Sequence, residues 1–174
     1  GDTDFDVTVL RVDLQVPEGA NCLTFDFQFY SDEFPEWVNT RYNDAFIAEL
    51  DLSTWSTSES TISAPNNFAF DPVGNPITIN AAGNTSMTAA NAVGTTYDGA
   101  TPLLSASTPI TPGAHSLYLS IFDQGDQIYD AAVFLDNLVV GFVPNPAQNC
   151  VAGARPKIFT LSLTPAVAEN PEDT

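Results

Sequence analysis

The sequence predicts an all-β protein, an antiparallel β-sandwich of jelly-roll type with long loops on one face. Three observations carry that reading. Apolar residues recur with period two in several segments, Pro and Gly turn signals separate those segments, and no stretch combines a helical period with caps.

The first strand is expected where Leu10, Val12, Leu14 and Val16 alternate with Arg11, Asp13 and Gln15. Pro17-Glu18-Gly19 turns the chain. A second strand follows, in which Leu23, Phe25, Phe27 and Phe29 alternate with Thr24, Asp26, Gln28 and Tyr30. Leu117, Leu119 and Ile121 alternate with Tyr118, Ser120 and Phe122 in the same way. Residues 131–142 are richer in apolar side chains and read as a central strand interrupted by Asp136-Asn137. Weaker strands are expected over 45–50, 77–80 and 102–106, and a single helical turn over 88–93. Residues 51–101 are rich in Ser, Thr, Asn and Ala and read as the long loops.

The chain has 174 residues, of which 44% are hydrophobic, enough to fill one sizeable core. The expected division is a β-sandwich over 1–150 and, over 151–174, a linker followed by an orphan strand. In that tail Phe159, Leu161 and Leu163 alternate with Ile158, Thr160 and Ser162. The four residues Ile158, Phe159, Leu161 and Leu163 are the candidates for an assembly strand that pairs with a neighbouring copy by strand addition. Gly1 is not a native start, so the chain reads as a processed product or a piece of a longer one.

Four Lys and Arg against 22 Asp and Glu give a formal charge of −18. That balance argues against nucleic acid, whose phosphates require a basic footprint. No apolar run reaches the length of a transmembrane helix, so membrane insertion is not expected. Cys22 and Cys150 lie at the ends of strand-like segments. A bridge between them would close most of the domain, for which the chain-entropy model gives roughly 4–5 kcal/mol. A disulfide implies an oxidising, extracellular or cell-surface setting; two free buried thiols are the alternative.

The acids are not evenly spread. Asp32, Glu33, Asn43 and Asp44 fall in one loop region, and Asp123, Asp126 and Asp130 in another around Gly125. Asp136 interrupts an apolar strand. Gathered carboxylates repel, and Lys and Arg are too few to neutralise them. A hard divalent cation is the expected agent, and Ca2+ takes six to eight oxygens from carboxylates, amides, backbone and water. These eight residues are the candidate metal ligands, and solvated acidic turns are the alternative. Trp37 and Tyr42 sit beside the first acidic loop, where amphipathic rings suit a glycan or peptide ligand, although such rings more often cover a core edge.

Residues 25–36, Phe-Asp-Phe-Gln-Phe-Tyr-Ser-Asp-Glu-Phe-Pro-Glu, followed by Asn43-Asp44-Ala45-Phe46, resemble the choice-of-anchor domains of secreted and surface-attached bacterial proteins, type L above all. Asp123-Gln124-Gly125-Asp126 and residues 129–136 fit the downstream half of the same pattern, and the resemblance covers roughly residues 5–142. It implies a β-rich extracellular domain attached to varied cell-surface anchors, with no characterised activity. The tail from Phe159 to Ala166 is similar to the first strand of a bacterial immunoglobulin-like repeat.

Nothing in the sequence marks an enzyme. His115 is the only His, and no Gly-x-Ser-x-Gly elbow accompanies it. The expected function is therefore an extracellular calcium-binding adhesion or ligand-binding module of a bacterial surface protein. The competing reading is a structural subunit whose tail strand completes a neighbour's sheet in a filament or layer. The tail discriminates: folding back on its own domain favours the binding module, and docking into another copy favours the polymer.

Overall fold

The computed structural model describes residues 4–59 and 61–158. Eleven strands occur among them: β1 Asp4–Val16, β2 Cys22–Ser31, β3 Ala45–Leu50, β4 Ser56–Ser58, β5 Thr61–Ser63, β6 Ile77–Thr78, β7 Gly99–Ala100, β8 Leu104–Pro109, β9 Gly113–Gln124, β10 Ala131–Phe142 and β11 Lys157–Ile158. Helical structure is confined to single turns, including a 3₁₀ turn Ala89–Ala92 where one was expected. Thr88 caps that turn by accepting from the Asn91 N–H.

Two antiparallel sheets make the sandwich. One runs β1-β9-β3-β6; the other runs β11-β10-β2, with β2 pairing both β7 and β8 on its far side. The period-two faces meet between them. Phe25, Phe27 and Phe29 of β2 pack with Leu14, Val16, Phe46, Leu117 and Leu119 in one core, and the Phe27 and Phe46 rings lie 5.2 Å apart between the sheets. Each fully buried side chain of this size contributes about 1.5–3 kcal/mol of transfer free energy.

β3 does not alternate. Ala45 to Glu49 are all buried, because the segment after β3 folds over the outer face of its sheet. Trp55 stacks on Phe122 at 4.3 Å, with Ile62 alongside. Glu49 is buried within this layer, and its carboxylate accepts from the Thr54 N–H and hydroxyl. Those bonds are what a buried carboxylate requires.

The expected disulfide is present. Cys22 and Cys150 are joined, with Cα atoms 5.5 Å apart across a separation of 128 residues. The bridge fastens the start of β2 to the segment after β10, beside Val143.

β10 departs from its expected role as a central strand. It pairs with β2 along one side, and on the other, among the described residues, β11 pairs with Gly141 and Phe142. Phe134, Leu135 and Leu138 are consequently exposed. The apolar richness that suggested burial on both faces instead belongs to a strand at the mouth of the sandwich. Asp136-Asn137 marks a β-bulge, where two residues of β10 oppose Phe25 and Asn137 takes a positive φ of 53°.

Lys157 and Ile158 return to the same domain. Phe159, Leu161 and Leu163 lie outside the described residues.

Candidate metal centre

The acidic loops converge at one end of the sandwich because strand register puts them there. Ser31, the last residue of β2, pairs with Ala131 at the start of β10 and with Gly99 of β7. Ala45, the first residue of β3, pairs with Phe122 near the end of β9, and Asp123 pairs with Phe5 of β1. The loops 32–44 and 125–130 and the 97–98 turn therefore share this end. The ion pairs Arg11–Asp13 and His115–Asp51 belong near the opposite end of β9, where Ser116 and His115 lie.

Consecutive residues at the end of β2 send the acids into two groups. Glu33 joins Asp44 and Asp123. These three are 2%, 0% and 6% exposed. The Ser31 hydroxyl donates to Asp44 Oδ2 at 3.0 Å and accepts from the Glu33 N–H at 3.0 Å. The Asp44 N–H donates weakly to Glu33 Oε2 at 3.4 Å. Asp44 Oδ1 is buried with no donor to satisfy it.

Burial and neighbouring charge make these three reluctant to ionise. Burial, opposed in part by hydrogen bonds from Asp44, pushes Glu33 up to about 7. Burial, with Glu33 and Asp123 close by, pushes Asp44 up to about 9. Burial, then Asp6, Asp130 and Asp126, raises Asp123 to about 7. Glu33 and Asp44 titrate as a coupled pair, and burial raises both.

Asp32 turns the other way. Its Oδ1 accepts from the Asp98 N–H at 3.2 Å, and its own N–H donates to the Asp130 carbonyl at 3.1 Å. Burial, with Asp98 and Asp130 nearby, raises its pKa, and burial, then Asp32 and Asp130, raises that of Tyr97. Asp126 and Asp130 lie in the loop between β9 and β10; Asp126 is partly buried and Asp130 exposed. Asn43 is buried beside the group, but its Oδ1 accepts from the Asn80 N–H and so secures the neighbouring loop. Asp136 is elsewhere. It pairs with Asp26 and accepts from the Asn137 N–H at the bulge of β10.

Two acids escaped sequence reasoning. Asp6 reaches Asp123 from a bulge in β1, where its φ is 48°; period-two reading does not foresee a bulge. Asp98 reaches Asp32 through a loop contact 66 residues away in sequence. Among the described residues, no group of three or more His, Cys, Asp or Glu side chains is placed to hold a metal ion as it stands.

Aromatic rings edge this end. Trp37 meets Tyr42 edge-on at 5.1 Å and Tyr129 at 6.2 Å. The Arg41 guanidinium lies 4.8 Å from the Tyr42 ring and donates to the Tyr42 hydroxyl at 2.8 Å. Trp37 and Tyr42, singled out from sequence, are thus neighbours, and Tyr129 joins them. Gly125 locks the two loops together. Its φ is +110°, and a Cβ there would come within 2.9 Å of the Tyr42 ring. Gly125→Ala is expected to lower stability by about 1–3 kcal/mol through strain and overlap, as measured by urea unfolding.

The raised pKa values set a pH dependence with a definite sign. Near neutral pH the folded chain holds protons at Glu33, Asp44 and Asp123 that the unfolded chain has released. This contribution to stability is complete below the unfolded values of 4.5 and 3.8, and is lost as pH rises through about 7 and about 9. Asp13, Asp26 and Asp71 are shifted downward, so their opposite effect is confined to acid pH. Chemical unfolding in a chelator is expected to show stability falling steadily from about pH 5 to about pH 9.

His115 Nδ1 faces the Asp51 carboxylate at 2.9 Å, and its Nε2 lies 2.9 Å from the Thr111 carbonyl and 3.2 Å from the Thr111 hydroxyl. Both nitrogens are engaged in holding the turn before β9.

These features define a disulfide-closed β-sandwich module with an acidic, aromatic-edged end. The chain belongs to the choice-of-anchor L domain family, whose sequence profile matches residues 1–138. Membership makes it a module of bacterial surface proteins. No curated protein and no solved structure matches the chain.

Proposed function

We propose that the chain is an extracellular binding module in which Ca2+ orders the acidic end and the aromatic edge beside it meets a surface glycan or peptide. The observation that carries the metal reading is Asp44 Oδ1, an acceptor with no donor, buried among Glu33 and Asp123. Glu33, Asp44 and Asp123 would be the central ligands, with Asp126 and Asp6 at the margin. Asp32, Asp98 and Asp130 form a second, shallower group. Calcium's tolerance for carbonyl and water ligands suits loops that supply only part of a cage. The ion's role is to fix loops rather than to perform chemistry, and the engagement of both His115 nitrogens supports a non-enzymatic reading.

The same ordering supports the ligand reading, because Gly125 of the acidic loop rests on Tyr42. The return of β11 to its own β10 favours this module over a filament subunit. The test is a calorimetric titration of Ca2+ into the chelator-treated chain. A saturable heat that disappears in Asp44→Asn and survives in Asp136→Asn supports the proposal; no heat, or equal loss in both variants, overturns it.

A further inference from the structure

We infer that Asp4 and Gln124 hold a monovalent alkali cation in the layer outside the β1-β9-β3-β6 sheet, at a site separate from the candidate metal centre. The two residues are a register pair across β1 and β9, and paired residues share a face. The alternation along β9 settles which face. Leu119 and Ile121 pack in the core, whereas Ser120 accepts from Trp55 Nε1 and Phe122 stacks on the Trp55 ring. Gln124 therefore points into the outer layer and Asp123 away from it. The contacts agree. The Thr57 hydroxyl donates to Asp4 Oδ2 at 2.6 Å, and Gln124 Nε2 donates to the Glu59 carbonyl at 3.0 Å. Thr57 lies in β4 and Glu59 follows its end, so one short segment holds both side chains.

Each side chain keeps one buried oxygen without a donor: Asp4 Oδ1 and Gln124 Oε1. Gln124 is 0% exposed, so bulk water does not reach it. Turning its amide over does not remove the deficit, because the oxygen would then face the Glu59 carbonyl. A buried acceptor without a partner is costly, and two on one register pair point to a shared electropositive occupant. Charge selects its valence. The pair brings one carboxylate and one neutral amide, so a monovalent ion leaves the layer neutral. A divalent ion would leave an unpaired positive charge in a buried layer, which is costly in its turn. The Glu59 carbonyl has a second lone pair to offer the same ion.

Thermal unfolding of the full chain in an alkali-free chelator tests this independently of Ca2+. NaCl and KCl are compared with tetramethylammonium chloride, whose ion is too large for a buried site, at one ionic strength. At about twenty times Kd the fitting ion is expected to raise the melting temperature by about 4–7 °C over tetramethylammonium. The larger response identifies Na+ or K+. Asp4→Asn and Gln124→Met are each expected to lose the increment, and Asp136→Asn to keep it. Asp4→Asn is expected to stay folded in every salt, because its amide can donate to Gln124 Oε1. The same melting temperature in all three salts, the result if water alone bridges the two oxygens, overturns the proposal. An increment that survives in Asp4→Asn or in Gln124→Met overturns it as well.

Discussion

Adding Ca2+ to the chelator-treated chain is expected to raise its melting temperature by about 8–16 °C. Free ligand at about a thousand times Kd stabilises the folded state by about 4 kcal/mol, and each kcal/mol moves the transition of a chain this size by about 2–4 °C. The direction follows from the site. Burial raises the pKa values of Glu33, Asp44 and Asp123, and charge adds to it from Asp126 and Asp123 at Glu33, from Glu33 and Asp123 at Asp44, and from Asp6, Asp130 and Asp126 at Asp123. On the proposed reading, a divalent ion would offset the gathered charge and would supply Asp44 Oδ1 with a partner. Asp44→Asn separates the two effects. It is expected to lose the calcium increment, yet to equal or exceed the parent in chelator above neutral pH, because it deletes a buried acid. An Asp44→Asn variant that is strongly destabilised in chelator and still responds fully to Ca2+ would remove Asp44 from the site. The increment is also expected to shrink on acidification through about 7, where Glu33 and Asp123 regain their protons and compete with the metal.

Removing the disulfide is expected to cost about 5 kcal/mol. The bridge spans 128 residues, and for a loop of that order the chain-entropy model assigns about 5 kcal/mol to restriction of the unfolded ensemble. The bridged segment also seats the end of β10: Asn21 Nδ2 donates to the Val143 carbonyl, and the Val143 N–H donates to Asn21 Oδ1. A Cys22→Ser, Cys150→Ser double variant should therefore show a large drop in unfolding midpoint in urea, with loss beginning at this end. A drop below about 1 kcal/mol would mean that the β2–β10 pairing alone holds the segment. Calcium binding at the opposite end of β2 should persist in any fraction that remains folded, which distinguishes global destabilisation from damage to the site.

Some of this was legible in the residues. Phe25, Phe27 and Phe29 declare one buried face whatever the partner, because a strand's side chains alternate by geometry. The choice-of-anchor motifs, the pairing of Cys22 with Cys150, and the crowding of acids into two loops were also readable. The division of those acids was not. Asp32 and Glu33 are adjacent in sequence but project into different groups, and Asp136, equally acidic, lies at the bulge of β10. β10 misled for a related reason. An apolar run records affinity for non-aqueous surroundings, not which side supplies them.

The fold class, the longer strands and the family could be read from local periodicity, turn residues and short motifs, whereas β4, β5 and β7 lie within residues read as long loops. Which carboxylates meet, that Asp6 and Asp98 join them, and that Tyr129 lies beside Trp37 emerged from the folded arrangement. Those outcomes depend on pairing register between strands as distant in sequence as Asp4 and Gln124, and on bulges that shift that register by one. A one-residue shift changes which face every later side chain occupies, so no local pattern fixes it in advance.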